Sequence, residues 1–192
     1  MDFIGEYQID AAICDRLVEF HRACERQGLV KRGRLNVDGK SSIEPESKDS
    51  HDLRVGEVPA NLQEQYGLGQ YVRELQRCAQ QYLEEYPGLK QVASFTVAES
   101  PLIQHYRPGG GFKMEHFERV DLSTTTRMLV WMTYLNDVTD GGGTRFKYQG
   151  RTMEARKGRT LIWPPDFTHT HVGVVSPTQH KYIITGWFNF TA

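Results

Sequence analysis

Residues 127–136 read RMLVWMTYLN, and residues 181–190 read KYIITGWFNF. Side chains on a strand alternate between two faces. Both stretches are nevertheless apolar on odd and even positions alike, the pattern of strands buried on both sides. One face of each fills the inside of a sandwich or barrel, and the other needs a cover.

Around these two segments the second half of the chain is rich in β-formers and turn signals. Strands are expected near 93–98, 101–107, 112–119, 127–136, 144–149, 151–155, 159–163, 169–175 and 180–190. RPGGG at 107–111, DGGG at 140–143 and PPD at 164–166 separate several of them. Many short strands in this length point to a double-sheet jelly roll or barrel. The first half reads mainly as helix. Asp10 caps a helix that presents Ile13, Leu17, Phe20 and Cys24 on one face and stops at Gly28. A second helical stretch runs from about Pro59 to Tyr86, split by Gly67 and Gly69, with Val72, Leu75, Ala79, Tyr82 and Leu83 on one side and PG at 87–88 as its stop. Residues 29–58 read as a long polar loop with short extended pieces. The expected class is α+β, with one domain over 1–192: supporting helices over about 1–92 cover a jelly-roll core over about 93–192.

Composition narrows the function. The 23 basic and 24 acidic side chains leave a formal net charge of −1, which advertises neither nucleic acid nor an anionic membrane as partner. Apolar runs such as MLVWM are too short to span a bilayer. The start MDFIGEYQID has no basic or apolar leader pattern, so no secretory signal is expected. Cys14, Cys24 and Cys78 have no close-spaced partner and read as small buried thiols, which suits a reducing, cytoplasmic setting. Nothing in the sequence sets an oligomeric state.

Three features carry chemistry. In MEHFER, residues 114–119, strand alternation puts His116 and Glu118 on one face and Glu115 and Phe117 on the other. Taken alone, such a pair is a charged strand surface or half of a metal site. In THTHVG, residues 168–173, alternation puts His169 and His171 on a shared face, and one of them with His116 and Glu118 makes two histidines and a carboxylate. That facial set suits non-haem Fe(II) and leaves adjacent coordination positions open. Lys181 shares a strand face with Ile183, Thr185 and Trp187. It either snorkels to water at the strand end or meets an anion inside, because a buried lysine without a counter-charge is costly. Thr185 can add a hydrogen bond to such an anion.

In sequence order, HYRPGGGF, HFE, MTYLND, GGGTRF, GRTLIWP, HTHVG and KYIITGW resemble the catalytic core of Fe(II)/2-oxoglutarate-dependent oxygenases of the prolyl 4-hydroxylase-like branch, over about 103–190. The resemblance implies a double-stranded β-helix core. It implies that His116, Glu118 and His171 hold Fe(II), with His171 preferred to His169 because Lys181 follows it by ten residues; His169 then lines or supports the site. It implies that Lys181 binds the far carboxylate of 2-oxoglutarate, with Thr185, Tyr134, Tyr106 and Trp187 as further cosubstrate contacts. Leu161 and Trp163 are expected as apolar walls, Trp163 and Arg127 also as weaker substrate contacts.

The implied activity is hydroxylation of an unactivated C–H. It consumes dioxygen and 2-oxoglutarate, with ascorbate as a reductant, on a peptidyl proline, another protein side chain or a small molecule. Two departures are visible, Glu118 in place of the commoner Asp and an extra residue in the PGGG stretch. Both are features of a microbial and phage-like subgroup. Halogenase chemistry is disfavoured because a carboxylate occupies the position where related halogenases carry a small residue. The alternatives are a non-catalytic jelly-roll binding module, which has no need of a triad plus Lys181, and a cupin-like metal site, which uses more histidines. Segments 40–58 and 118–126 are the candidate lids.

Overall fold

The computed structural model describes residues 1–37 and 40–191; Asp38 and Gly39, part of the expected polar loop, lie outside them. In chain order the first half holds β1 (Gly5–Gln8), α1 (Ala11–Arg26), β2 (Lys31–Arg32), β3 (Leu35–Val37), β4 (Lys40–Ser42), β5 (Lys48–Asp49), β6 (His51–Arg54), α2 (Ala60–Gln65) and α3 (Leu68–Glu85). The second half holds β7 (Phe95–Thr96), β8 (Leu102–Tyr106), β9 (Gly111–Phe112), β10 (Arg127–Tyr134), β11 (Thr144–Phe146), β12 (Arg151–Met153), β13 (Arg159–Trp163), β14 (His171–Gly173) and β15 (Lys181–Phe190).

The helix termini follow local chemistry. The Asp10 carboxylate accepts from the Ala12 amide at 2.7 Å and caps α1. Ile13, Leu17, Phe20 and Cys24 of α1 are all buried, as the spacing requires. Gly67 adopts φ +75°, a left-handed conformation that only glycine enters cheaply, and breaks α2 from α3. Gly69, expected to share in that break, lies inside α3. The buried stripe of α3 is Leu68, Tyr71, Leu75, Cys78 and Tyr82, so Val72, Ala79 and Leu83 flank the buried face rather than form it.

All strand pairs are antiparallel. The major sheet has the order β1-β13-β10-β15-β8-β6-β2, with β7 on the end of β15; a minor sheet has the order β12-β11-β14. Three strands of the major sheet, β1, β2 and β6, come from the half expected to be helical support, which therefore also supplies both sheet edges. The central strands separate two apolar clusters. Leu129, Trp131, Ile184 and Phe188 pack outward under Leu17, Phe20, Tyr71 and Leu75. Val130, Met132, Tyr134 and Ile183 face inward with Phe146, Met153 and Trp163. The two-sided apolarity of β10 and β15 thus has the cover it demands. The Tyr134 hydroxyl shares a hydrogen bond with Thr144 at 2.7 Å and ties the major sheet to the minor one.

Cys14, Cys24 and Cys78 are buried and unpaired. Among the described residues no helix is long and apolar enough to cross a membrane.

Leu75→Ala empties a fully buried position and is expected to cost about 2–5 kcal/mol. Leu83→Ala, on the flank of the same helix, should cost about 1 kcal/mol or less. Urea unfolding of both variants measures the difference, and equal losses would contradict the observed stripe.

Candidate active site

Three ligand atoms converge at the mouth between the two sheets. His116, Glu118 and His171 each offer one, all within 4.8 Å of one another. Glu118 Oε1 lies 3.6 Å from His116 Nε2 and 3.7 Å from His171 Nε2.

The backbone explains the convergence. His116 and His171 form an isolated antiparallel bridge, each amide donating to the other's carbonyl at 3.0 and 2.9 Å. The expected strand over 112–119 is therefore mostly irregular: β9 ends at Phe112, and His116 meets β14 through this single bridge. Glu118 still falls on the ligand side, because its amide and that of Arg119 both donate to the Pro165 carbonyl. Glu115 points away to Lys147 and Arg145, as alternation anticipates.

Second contacts aim the ligands. His116 Nδ1 donates to the Met114 carbonyl and His171 Nδ1 to the His169 carbonyl, each at 2.9 Å. These bonds fix the tautomer that leaves both Nε2 lone pairs facing the centre, the arrangement metal-bound imidazoles adopt. Phe112 stacks on the His116 ring at 3.7 Å, and Trp163 meets the His171 ring edge-on at 5.2 Å. Burial pushes His171 down to about 3, so it stays neutral and available as a ligand. The donor set fits a divalent metal such as Fe(II).

Glu118 is held from two sides. Trp187 Nε1 donates to its Oε2 at 3.1 Å, and Arg127 Nη1 donates to its backbone carbonyl at 2.8 Å. Arg127 also pairs with both Glu99 oxygens at 2.8 Å and lies over the Trp187 ring at 3.6 Å. Burial raises the Glu99 pKa, but the hydrogen bonds from Arg127 and Asn189 outweigh it and hold the carboxyl below its ordinary range. A register shift between Arg127 and Leu129 turns Met128 outward beside Leu129 and re-aims Arg127 at the interior.

Lys181 lies on the inward face of β15, 5% exposed. Its ammonium sits 4.7 Å over the Tyr106 ring, and no carboxylate pairs with it among the described residues. Burial alone pushes it down to about 8. Gly173, two residues past His171, keeps the adjacent space open: a Cβ there would lie 3.8 Å from Lys181 Nζ and 3.1 Å from the Phe112 carbonyl. An uncompensated buried cation beside an open space is a receptor for an anion.

The other expected contacts divide. Tyr106 lines the Lys181 side, its hydroxyl donating to Gln104 at 2.9 Å. Thr185 faces inward, but its hydroxyl already donates to the Trp131 carbonyl at 2.9 Å, which leaves no free donor for a cosubstrate. The Tyr134 hydroxyl is likewise taken up between the sheets. Trp187 serves Glu118 instead of forming a plain wall. Arg127 is fully engaged with Glu99, Glu118 and Trp187 and so does not stand free to meet substrate, whereas Trp163 packs edge-on against His171 with its indole N–H unpartnered among the described residues. Leu161 is an inward wall as expected. His169 does not share a strand face with His171. It ends the 3-10 turn Phe167–His169 and contacts the Asp2 carbonyl at 2.9 Å, acting on the site only through its own carbonyl.

Segment 118–126 is pinned rather than loose. Arg119 pairs with both Asp166 oxygens, at 2.8 and 2.7 Å, and Asp121 caps the 3-10 turn Leu122–Thr124. Segment 40–58 reaches the site where β5 pairs with β9, just before His116. A groove of about 430 Å³ is not lined by the triad; it is bounded by Phe3, Tyr86, Met128, Pro164, Pro165 and the Arg119–Asp166 pair.

Residues 101–189 match the family model described as the 2OG-Fe(II) oxygenase superfamily. The human prolyl 4-hydroxylase subunit alpha-1 is 24% identical over 110 residues, 49% of this chain and 20% of that protein, so the chain spans about a fifth of that relative's length. Among solved structures, a Pseudomonas putida prolyl-4-hydroxylase superposes with TM-score 0.69 at 17% identity, covering 98% of this chain and 94% of that one. A prolyl hydroxylase from Trichoplax adhaerens, in complex with a hypoxia inducible factor oxygen degradation domain peptide fragment, superposes with TM-score 0.74 at 14% identity, covering 98% and 84%. At these identities the structural likeness establishes a shared fold.

Trp187→Phe keeps a ring beneath Arg127 and removes only the donor to Glu118. It is expected to weaken Fe(II) binding about 10–100-fold with no change in unfolding midpoint. Anaerobic metal titration measures it, and unchanged affinity would mean that Glu118 is oriented without Trp187.

Proposed function

We propose that this chain, whose residues 101–189 match the 2OG-Fe(II) oxygenase superfamily, is an Fe(II)/2-oxoglutarate-dependent hydroxylase of prolyl 4-hydroxylase type, acting on a peptide or protein side chain. The observation that carries the reading is the pairing of a His116–Glu118–His171 ligand set with a buried, counter-ion-free Lys181.

Each residue has a defined part. His116, Glu118 and His171 would hold Fe(II), which when bound supplies the redox chemistry that converts 2-oxoglutarate and dioxygen to succinate and carbon dioxide while a substrate C–H is hydroxylated. Lys181 neutralises the far carboxylate of 2-oxoglutarate, and Gly173 leaves room for it. Tyr106 shields that ion pair from water, where the attraction is weaker. Trp187 and Arg127 position Glu118. Ascorbate enters this reading only as an external reductant. The two facing sheets support a double-stranded β-helix, and the whole chain is taken as one domain in a cytoplasmic setting.

A peptide substrate is favoured over a small molecule by the likeness to the Trichoplax adhaerens prolyl hydroxylase, whose structure holds a peptide fragment.

Anaerobic addition of Fe(II) and 2-oxoglutarate should give a visible charge-transfer band, and oxygen with prolyl peptides should yield succinate coupled to hydroxylated product. A His171→Ala protein behaving like wild type would sink the enzyme reading; turnover with metabolites but no peptide would sink the peptide reading.

Lys181→Ala should raise the 2-oxoglutarate requirement strongly while leaving Fe(II) binding intact. Unchanged cosubstrate affinity would contradict the anchor.

The pH dependence follows from the same lysine. Its cationic form binds the acid, and in the free protein that form is lost as pH rises through about 8. The KM for 2-oxoglutarate should therefore climb above about pH 8 in the wild type. Lys181→Arg, charged throughout, should show no such rise. A flat wild-type profile to pH 9.5 (roughly one unit below the ordinary lysine range) would refute this.

A further inference from the structure

A second cluster of histidines sits on the outward face of the sheet. His21 and Glu25 are one turn apart on α1 and share a face. Opposite them on β8 is His105. One ligand atom from each of the three falls within 4.8 Å of the others. His51 and His180 adjoin: the His51 ring lies 6.0 Å from that of His105, and His180 Nδ1 lies 2.9 Å from His105 Nε2.

The buried nitrogens are incompletely satisfied. His21, fully buried, can use Nε2 toward the His51 carbonyl at 3.1 Å only as a donor, which leaves Nδ1 as a bare lone pair. Among the described residues that Nδ1 has no partner, and neither does Nδ1 of His105 or of His51. Buried polar atoms without partners are uncommon and costly. Three in one nest are a ligand set without its ligand.

We propose that His21, Glu25 and His105 form a second metal site, for an imidazole-preferring divalent ion of the zinc class, separate from the iron site. The lone pair and held tautomer of His21 are what a metal-bound imidazole needs. His105 is stiffened by stacking on Tyr182, 4.2 Å between centroids with planes 2° apart. Glu25 stands at the solvent rim and gives an entry path, and a water or His51 completes four-coordination. Arg107, 3.7 Å from Glu25 Oε1, is the competing cation and must yield to the ion. Tyr182 pairs with His105 and Lys181 with Tyr106 across β15 and β8, so the ion would lie directly behind the cosubstrate anchor. It would clamp α1 to the sheet, a structural role.

The test uses the full chain with the iron site disabled by His116→Ala/Glu118→Ala, titrated with Co²⁺ and read by visible d–d absorption, then by Zn²⁺ displacement. One equivalent should bind, and Zn²⁺ should raise the thermal midpoint. Adding His105→Gln should abolish both effects. Adding Glu25→Gln, on the exposed rim where folding is not at stake, should weaken binding at least about tenfold, as even outer contacts to metal ligands do. Absence of stoichiometric binding in the iron-site variant overturns the proposal, as does affinity that Glu25→Gln leaves unchanged.

Discussion

Strands β10 and β15 lie side by side along most of their length, and neither has a solvent face. Everything else answers that constraint. The outward side chains require α1 and α3 as a roof. The inward ones enclose a space that the minor sheet closes. A sheet buried on both faces also separates two chemical environments by the thickness of one backbone. Lys181 stands on one side of β15 and Tyr182, next in sequence, on the other.

Within the enclosed space, charge is managed by commitment of partners. Arg127 is satisfied by Glu99 and by Glu118, so it steadies the ligand loop instead of competing for an acid. Among the described residues Lys181 is left without a counter-ion, and so is free to receive one. This division bears on the glutamate in the ligand set. A longer carboxylate side chain has more rotamers to lose than aspartate. Trp187 on one oxygen and Arg127 on the main chain remove that freedom before any metal arrives.

The sequence made much of this legible because its strongest signals were periodic. The capped α1, the break at Gly67, both central strands and the shared face of His116 and Glu118 follow from spacing and alternation; the choice of His171 as third ligand came with the family resemblance. What it concealed was non-local or irregular. GEYQ, residues 5–8, is too short to carry a pattern, and it becomes a strand only because β13 offers an open edge. Arg127 looked available for substrate because a register shift, invisible in composition, turns it inward. His169 looked equivalent to His171 because alternation was applied across a 3-10 turn. Trp187 read as a wall since nothing local shows where an indole N–H will point.

The alternation along β15 and β8 has a consequence for how such a chain can change. A substitution in either strand alters one chamber and leaves the other alone. A single insertion or deletion would instead exchange their contents, sending the lysine to the histidine nest and a tyrosine to the acid pocket. Replacement is thus cheap and miscounting ruinous within these strands. Variation in length belongs in the turns, and the additional residue between Tyr106 and His116 falls in such a place, the glycine-rich connection ahead of β9.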